Sequence, residues 1–197
     1  MSDRGGAARL DQTRGDALAR MRRGDLYDPA DPELMDDRER CHRQVDRFNA
    51  ARAANAGDRD RIIRGLFGHV GVDVEVEPPL SCDYGINVSI GDRSFVNYGA
   101  VILDCATVTI GADVHIGPSV QLLTTVHPRD PALRRTKVES AAPIVIHDGV
   151  LLGGGVIVCP GVTIGENTVV GAGSVVVDDL PAGVVAVGNP ARVARTL

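Results

Sequence analysis

The sequence predicts a mainly β protein, a parallel β-helix of six-residue repeats preceded by a small helical segment. The first observation is periodic. Aliphatic residues recur every six positions at Ile90, Val96 and Ile102, at Ile110, Ile116 and Leu122, and at Ile146, Leu152, Val158, Ile164, Val170 and Val176. The second is that small or aliphatic side chains usually stand four positions later, and that Gly follows the anchor directly at Gly91, Gly111, Gly117, Gly153, Gly165 and Gly171, where a backbone must turn or approach another closely. The third is compositional. The chain has no Trp, three Phe and three Tyr, none of them beyond Tyr98, so the repeat encloses a cross-section too narrow for rings.

Residues 1–70 hold 14 of the 21 basic groups and 13 of the 26 acidic ones and read as helices. Leu18 and Met21 at i, i+3, and Cys41, Val45 and Phe48 at i, i+4, i+7, each make an apolar stripe on a charged segment. Between them Tyr27-Asp28-Pro29-Ala30-Asp31-Pro32 is a turn, with Asp31 as N-cap of a helix beginning at Pro32. Gly57 and Asp58 read as a stop and a new N-cap before Ile62, Ile63, Leu66 and Phe67. Helices this short bury little alone and need a larger body to lie against. The alternation of Val72, Val74 and Val76 signals a strand ending at Pro78-Pro79.

Residues 71–191 form the β-helix. A period of six is neither helical nor that of a hairpin meander. Short strands with one inward aliphatic side chain, joined three to a turn, stack as a prism. The repeat units make about four coils, roughly 19 Å tall at ~4.8 Å per coil. The phase breaks twice. Two extra residues separate the units of Ile102 and Ile110, and residues 124–143, TTVHPRDPALRRTKVESAAP, are polar and Arg-rich and project from the wall as a loop. Residues 192–197 are a C-terminal tail.

Composition limits the function classes. With 26 acidic against 21 basic side chains, a net charge of -5 and no basic-aromatic cluster, nucleic acid is not the expected partner. The longest apolar runs fall far short of the ~20 residues of a membrane span, so no membrane association is expected. Met1 to Leu10 lacks the apolar core of a signal peptide, which makes the expected location cytoplasmic. Cys41, Cys82, Cys105 and Cys159 are too dispersed for a CxxC motif and too few for a disulfide scaffold, and read as reduced packing residues.

The order of motifs resembles the hexapeptide-repeat O-acetyltransferases, and within them the maltose and galactoside acetyltransferase group. It runs GDLYDPADPEL, VEPPLSCDYG, NVSIGDRSFVNYGAVILD, VHP in the loop, PGVTIGENTVVGAGSVV and a closing VGNPARV, nearly the whole chain. The resemblance implies a left-handed β-helix, against the usual right-handed crossover, and a homotrimer with active sites between adjacent prisms. It also implies acetyl-CoA as co-substrate, no required metal, and a sugar or similar small hydroxylated acceptor whose site takes residues from the helical part.

Moving an acetyl group from a thioester to a hydroxyl needs a base near neutral pKa and donors for the tetrahedral oxyanion. Of five histidines, only His127 lies in the projecting loop, next to Pro128. His42 and His69 belong to the helical part, and His115 and His147 to solvent-facing positions of the repeat. His127 matches the family's catalytic His, which the resemblance makes the general base. By motif, Asn97 and Asp83 match acceptor-contacting positions, and Asp28 or Asp31 falls in the segment that supplies a sugar-binding acid. The competing reading of these four is turn and corner chemistry. Cys105 is a departure, because galactoside-specific members carry a sugar-contacting Asp there.

Coenzyme A is expected along the groove between two late coils, against backbone near Gly154 and Ala172. Leu151 stands where some relatives have Trp. Arg192 and Arg195 match basic residues near the nucleotide phosphate, where a forked guanidinium suits an anion. No acyl-enzyme is expected, since no cysteine has a paired base. Three alternatives remain: an acetyltransferase for an antibiotic or serine, whose relatives differ at the N-terminus; a γ-type carbonic anhydrase-like protein, whose ligand spacing His115, His127 and His147 do not match; and a non-catalytic prism, against which the intact His127 loop stands.

Overall fold

The structure is a computed structural model and describes residues 16–51 and 56–197. Helices α1 (Ala17–Arg23), α2 (Pro32–Ala50) and α3 (Ala56–Leu66) form the N-terminal part. The start of α2 is as the sequence predicts: the Asp31 carboxylate accepts the Glu33 N–H at 3.0 Å and Pro32 sits in the first turn. Its buried face is Leu34, Cys41, Val45 and Phe48. Helix α3 begins earlier than expected, so Gly57 and Asp58 lie inside its first turn. An acid there still suits the helix dipole.

From His69 onward, short strands stack parallel into three sheets. Among the described residues the first sheet holds His69–Val70, Val88–Ile90, Val108–Ile110, Ile144–Ile146 and Thr163–Ile164. The second holds Glu75–Val76, Phe95–Val96, His115–Ile116, Leu151–Leu152, Val169–Val170 and Val184–Gly188, and the third Leu80–Cys82, Ala100–Leu103, Gln121–Leu123, Ile157–Val158 and Val175–Val176. These make five complete coils and part of a sixth, against the four expected. The first coil carries the same six-residue spacing, Val70, Val76 and Cys82 standing in register with Ile90, Val96 and Ile102, and went uncounted because Cys82 is not an aliphatic anchor. Of its Val72-Val74-Val76 alternation only Val76 lies in a strand, Glu75–Val76, while Val72, 63% exposed, and the buried Val74 form the corner before it.

The twelve anchors stack directly on one another: Ile90, Ile110, Ile146 and Ile164 in the first sheet, Val96, Ile116, Leu152 and Val170 in the second, and Ile102, Leu122, Val158 and Val176 in the third. All are at most 2% exposed, which makes the aliphatic column the dominant apolar burial of the fold. Buried hydroxyls at the corners are hydrogen-bonded, as with Ser94, which donates to Gly111 O at 2.8 Å and accepts from Val114 N at 3.0 Å. Of the two reasons for Gly after the anchor, the structure selects close approach. A Cβ on Gly153 would stand 2.5 Å from Ala172 N, while the left-handed turn falls two residues later, at Gly155 (φ +69).

Both ends of the prism are closed. At the start, Asn49 of α2 accepts from Leu80 N and donates to Leu80 O (2.8 and 2.9 Å), and Arg64 of α3 donates to Val70 O and Gly71 O. Side chains thereby serve backbone groups at an open sheet edge. At the other end, Ala191–Thr196 pairs antiparallel with Val184–Gly188. The expected tail at 192–197 is therefore a strand, because closing a hairpin satisfies the last edge of the second sheet. A second, smaller core of Met21, Tyr27, Leu34, Tyr84, Cys105, Ala106 and Ala141 fastens α1 and the start of α2 to the base of the projecting loop. No helix among the described residues is long and apolar enough to cross a membrane.

Candidate active site

The third sheet passes back to the first through a corner made by Asp83 in the first coil, Asp104-Cys105 in the second and Thr124-Thr125 in the third. The two residues that break the phase after Ile102 are accommodated here. Asp104 is fully buried and accepts from Tyr84 N (2.8 Å), Asn87 N (3.2 Å) and the Cys82 thiol (3.3 Å), which fixes this corner. Burial pushes its carboxyl above the ordinary range, and the backbone donors oppose that.

At the third coil the chain leaves the wall. Thr125–Val126 pairs antiparallel with Ser140–Ala141, Thr125 facing Ala141 and Val126 facing Ser140, so the loop stands on a two-strand stem. Continuing that register sets His127 opposite Glu139. The imidazole Nδ1 lies 3.7 Å from Glu139 Oε1, with the His127 side chain 63% exposed and that of Glu139 19%. The other carboxylate oxygen, Oε2, accepts the Tyr27 hydroxyl at 3.0 Å. Tyr27 and Glu139 also exchange two backbone hydrogen bonds, at 2.9 and 3.0 Å. Burial above all, then Cys105 and Glu139, raises the Tyr27 phenol far beyond its usual range, so it stays a donor.

Beneath this group lies Cys105. The Thr125 hydroxyl donates to its sulfur at 3.2 Å and the thiol points to Asp83 Oδ2 at 3.7 Å. Burial pushes this thiol up to about 11. Asp83 is raised mainly by burial and then by Asp104, against the lowering influence of Arg38 and His42. The structure thus brings His127 and Asp83 into one cluster with Tyr27, Glu139, Cys105 and Thr125. Asp28 and Asp31 border it with engaged carboxylates: Asp28 accepts from Ala30 N at 2.9 Å in a turn, and Asp31 caps α2.

The remaining expected residues lie elsewhere. Asn97 starts the corner between the second and third sheets, its side chain accepting from Tyr98 N at 2.8 Å. The same corner carries Gly154 and Ala172, linked coil to coil by Ser119 N to Tyr98 O, Gly155 N to Pro118 O and Gly173 N to Gly154 O at 2.8–2.9 Å. Asn97 and Leu151, which is 44% exposed, line one shallow groove with Phe95, His115 and Gly153. Arg192 and Arg195 are exposed on the final strand of that same second sheet, Arg192 lying 3.3 Å from Asp178. Tyr27, Thr125 and Glu139 went unassigned in the sequence. The only signal for Glu139 was its place in the loop, and pairing across the gap from His127 is a tertiary fact.

Two family models match the chain: the maltose acetyltransferase hexapeptide capping motif over residues 20–71 and the bacterial transferase hexapeptide (six repeats) over residues 143–178. The galactoside O-acetyltransferase of Escherichia coli K12 is 39% identical over 90% of this chain and 88% of its own length. The chain belongs to the hexapeptide-repeat acetyltransferases. Nodulation protein L of Rhizobium meliloti is 43% identical over 88% of this chain and 95% of its own. Among solved structures, a maltose O-acetyltransferase from Clostridium difficile 630 superposes with a TM-score of 0.91 at 42% identity, covering 92% of this chain and 97% of that one. A galactoside acetyltransferase in complex with coenzyme A gives 0.88 at 38% identity, covering 91% and 90%. The fold is accordingly the left-handed β-helix. Among the described residues, no three His, Cys, Asp or Glu side chains converge to hold a metal ion, so His115, His127 and His147 form no such group.

Proposed function

We propose that the chain transfers an acetyl group from acetyl-CoA directly to a hydroxyl of a sugar or similar small acceptor, with His127 as general base. The observation that carries this is an exposed imidazole on a two-strand stem, faced across the stem by a carboxylate 3.7 Å away. His127 takes the acceptor hydroxyl proton as the oxygen attacks the thioester carbonyl. The tetrahedral species then collapses, the C–S bond breaks, and His127 returns the proton to the departing sulfur. A carboxylate facing Nδ1 favours the tautomer that leaves Nε2 as proton acceptor and stabilises the imidazolium between the two steps. Cys105 is not the nucleophile, because a thiol held near 11 with no paired base stays protonated.

Asp83 serves as an acceptor contact, and Asp28 and Asp31 shape the wall that bears Tyr27. Asn97 and the Leu151 groove lie on another corner, so they complete the site from an adjacent copy in a homotrimer. Coenzyme A then runs past Gly154 and Ala172 toward Arg192 and Arg195. The neutral Cys105 thiol, standing where galactoside-specific members have Asp, separates this chain from them at the acceptor.

The test is His127→Ala, with maltose, a galactoside and other sugars as acceptors and free CoA thiol as the readout. The expected loss of kcat is about 10²- to 10⁴-fold, with acetyl-CoA affinity, trimer mass and Tm nearly unchanged because the side chain is exposed. A loss below about tenfold removes His127 as the base, and joint loss of activity and trimer makes it structural.

A further inference from the structure

Resting on His127 as the base, we infer that Tyr27 is a positioning residue for the transfer reaction, its phenol holding the Glu139 carboxylate in the orientation that faces His127. Glu139 stands just beyond the paired stem residues Ser140–Ala141, opposite His127 on one side and bridged to Tyr27 on the other. One oxygen faces Nδ1 at 3.7 Å, and the other accepts the Tyr27 hydroxyl at 3.0 Å. Because the two oxygens share a rigid plane, anchoring one sets the direction of the other.

The anchor itself is immobilised. Tyr27 is 1% exposed, its ring packs in the smaller core with Met21, Leu34, Ala106 and Ala141, and its backbone is paired to Glu139 by two hydrogen bonds. A buried phenol held at both ring and backbone presents its O–H with little freedom, which is what a preorganised site requires. Its burial keeps the proton in place at any working pH. The turn between α1 and α2 is thereby joined to the base, through one carboxylate, across 112 residues of sequence. The helical segment does more than wall the acceptor site: it completes the catalytic apparatus.

A purely structural role predicts a different pattern, which a double-mutant cycle separates. Tyr27→Phe removes the hydroxyl and keeps the ring, and Glu139→Ala removes the group through which Tyr27 is held to act. Both single variants and the pair are assayed with acetyl-CoA and a sugar that the parent acetylates, alongside Tm. We expect Tyr27→Phe to lower kcat about tenfold, leaving both KM values within about twofold and Tm little changed. In the Glu139→Ala background the same change costs less than about twofold, because nothing remains to be positioned. An equal loss in both backgrounds, no loss in Tyr27→Phe alone, or a raised acceptor KM at constant kcat overturns the inference, the last making Tyr27 an acceptor contact. Full activity in His127→Ala instead defeats the base assignment, and that result is independent of the cycle.

Discussion

Gly153→Ala tests the close packing of coils beside the proposed coenzyme groove. The added Cβ would lie 2.5 Å from Ala172 N, 2.8 Å from Ala172 Cα and 3.0 Å from Val170 O, where carbon contacts normally sit at about 3.5–4.0 Å. All three atoms are backbone of the next coil, so no rotamer change relieves the clash. The coils must part locally, stretching the 2.8 Å hydrogen bond from Gly153 N to Val170 O. Overpacking costs about 1–3 kcal/mol and a weakened buried hydrogen bond about 1 more. At ~2–4 °C per kcal/mol for a chain of this size, the expected fall in Tm is about 4–16 °C. The control is Gly155→Ala: its φ is +69 but no atom lies within 4 Å, so only the left-handed backbone costs, roughly 1 kcal/mol. Thermal unfolding of both variants at one protein concentration, so that any self-association contributes equally, gives the comparison. Because Gly154 and Ala172 move with the parted coils, acetyl-CoA affinity falls with stability in the first variant. The reasoning fails if Gly153→Ala is no more destabilising than Gly155→Ala.

Two further outcomes are expected. Changing Arg192 and Arg195 together to Ala weakens CoA far more than dephospho-CoA in a direct titration, because only CoA carries the extra phosphate; equal weakening removes that contact. Asp83→Asn tests a stored electrostatic cost. Burial holds the native carboxyl above 3.8, so the folded chain binds this proton more tightly than the unfolded one, and stability falls as pH rises from about 3.8 through the native value. The Asn variant should gain Tm relative to the parent as pH is raised from about 4 to 7. A constant difference over that range would contradict the sign, while a raised acceptor KM measures Asp83 as an acceptor contact.

The sequence by itself determined the prism. A six-residue period with one inward aliphatic per unit points to a stacked prism, though not to its hand, and each of the twelve anchors is buried where the period places it. The Asp31 cap and the α2 stripe were equally legible, because a cap and an i, i+4 face depend on neighbours in the chain. The first coil was not, since Val72 and Val74 mimic strand alternation while turning the corner that leads into Glu75–Val76. Nor was the final strand, whose charged residues read as a tail until Val184–Gly188 supplied its partner. The loop and His127 announced themselves by breaking the phase. What the imidazole faces did not: Glu139 lies across a stem of two short strands, and Tyr27 arrives from the helical part, 112 residues away. Local pattern cannot encode such a meeting, because it is fixed by where the smaller core docks α1 and α2 against the base of the loop. The sequence decided which residues repeat; only the tertiary structure decided which of the exceptions meet.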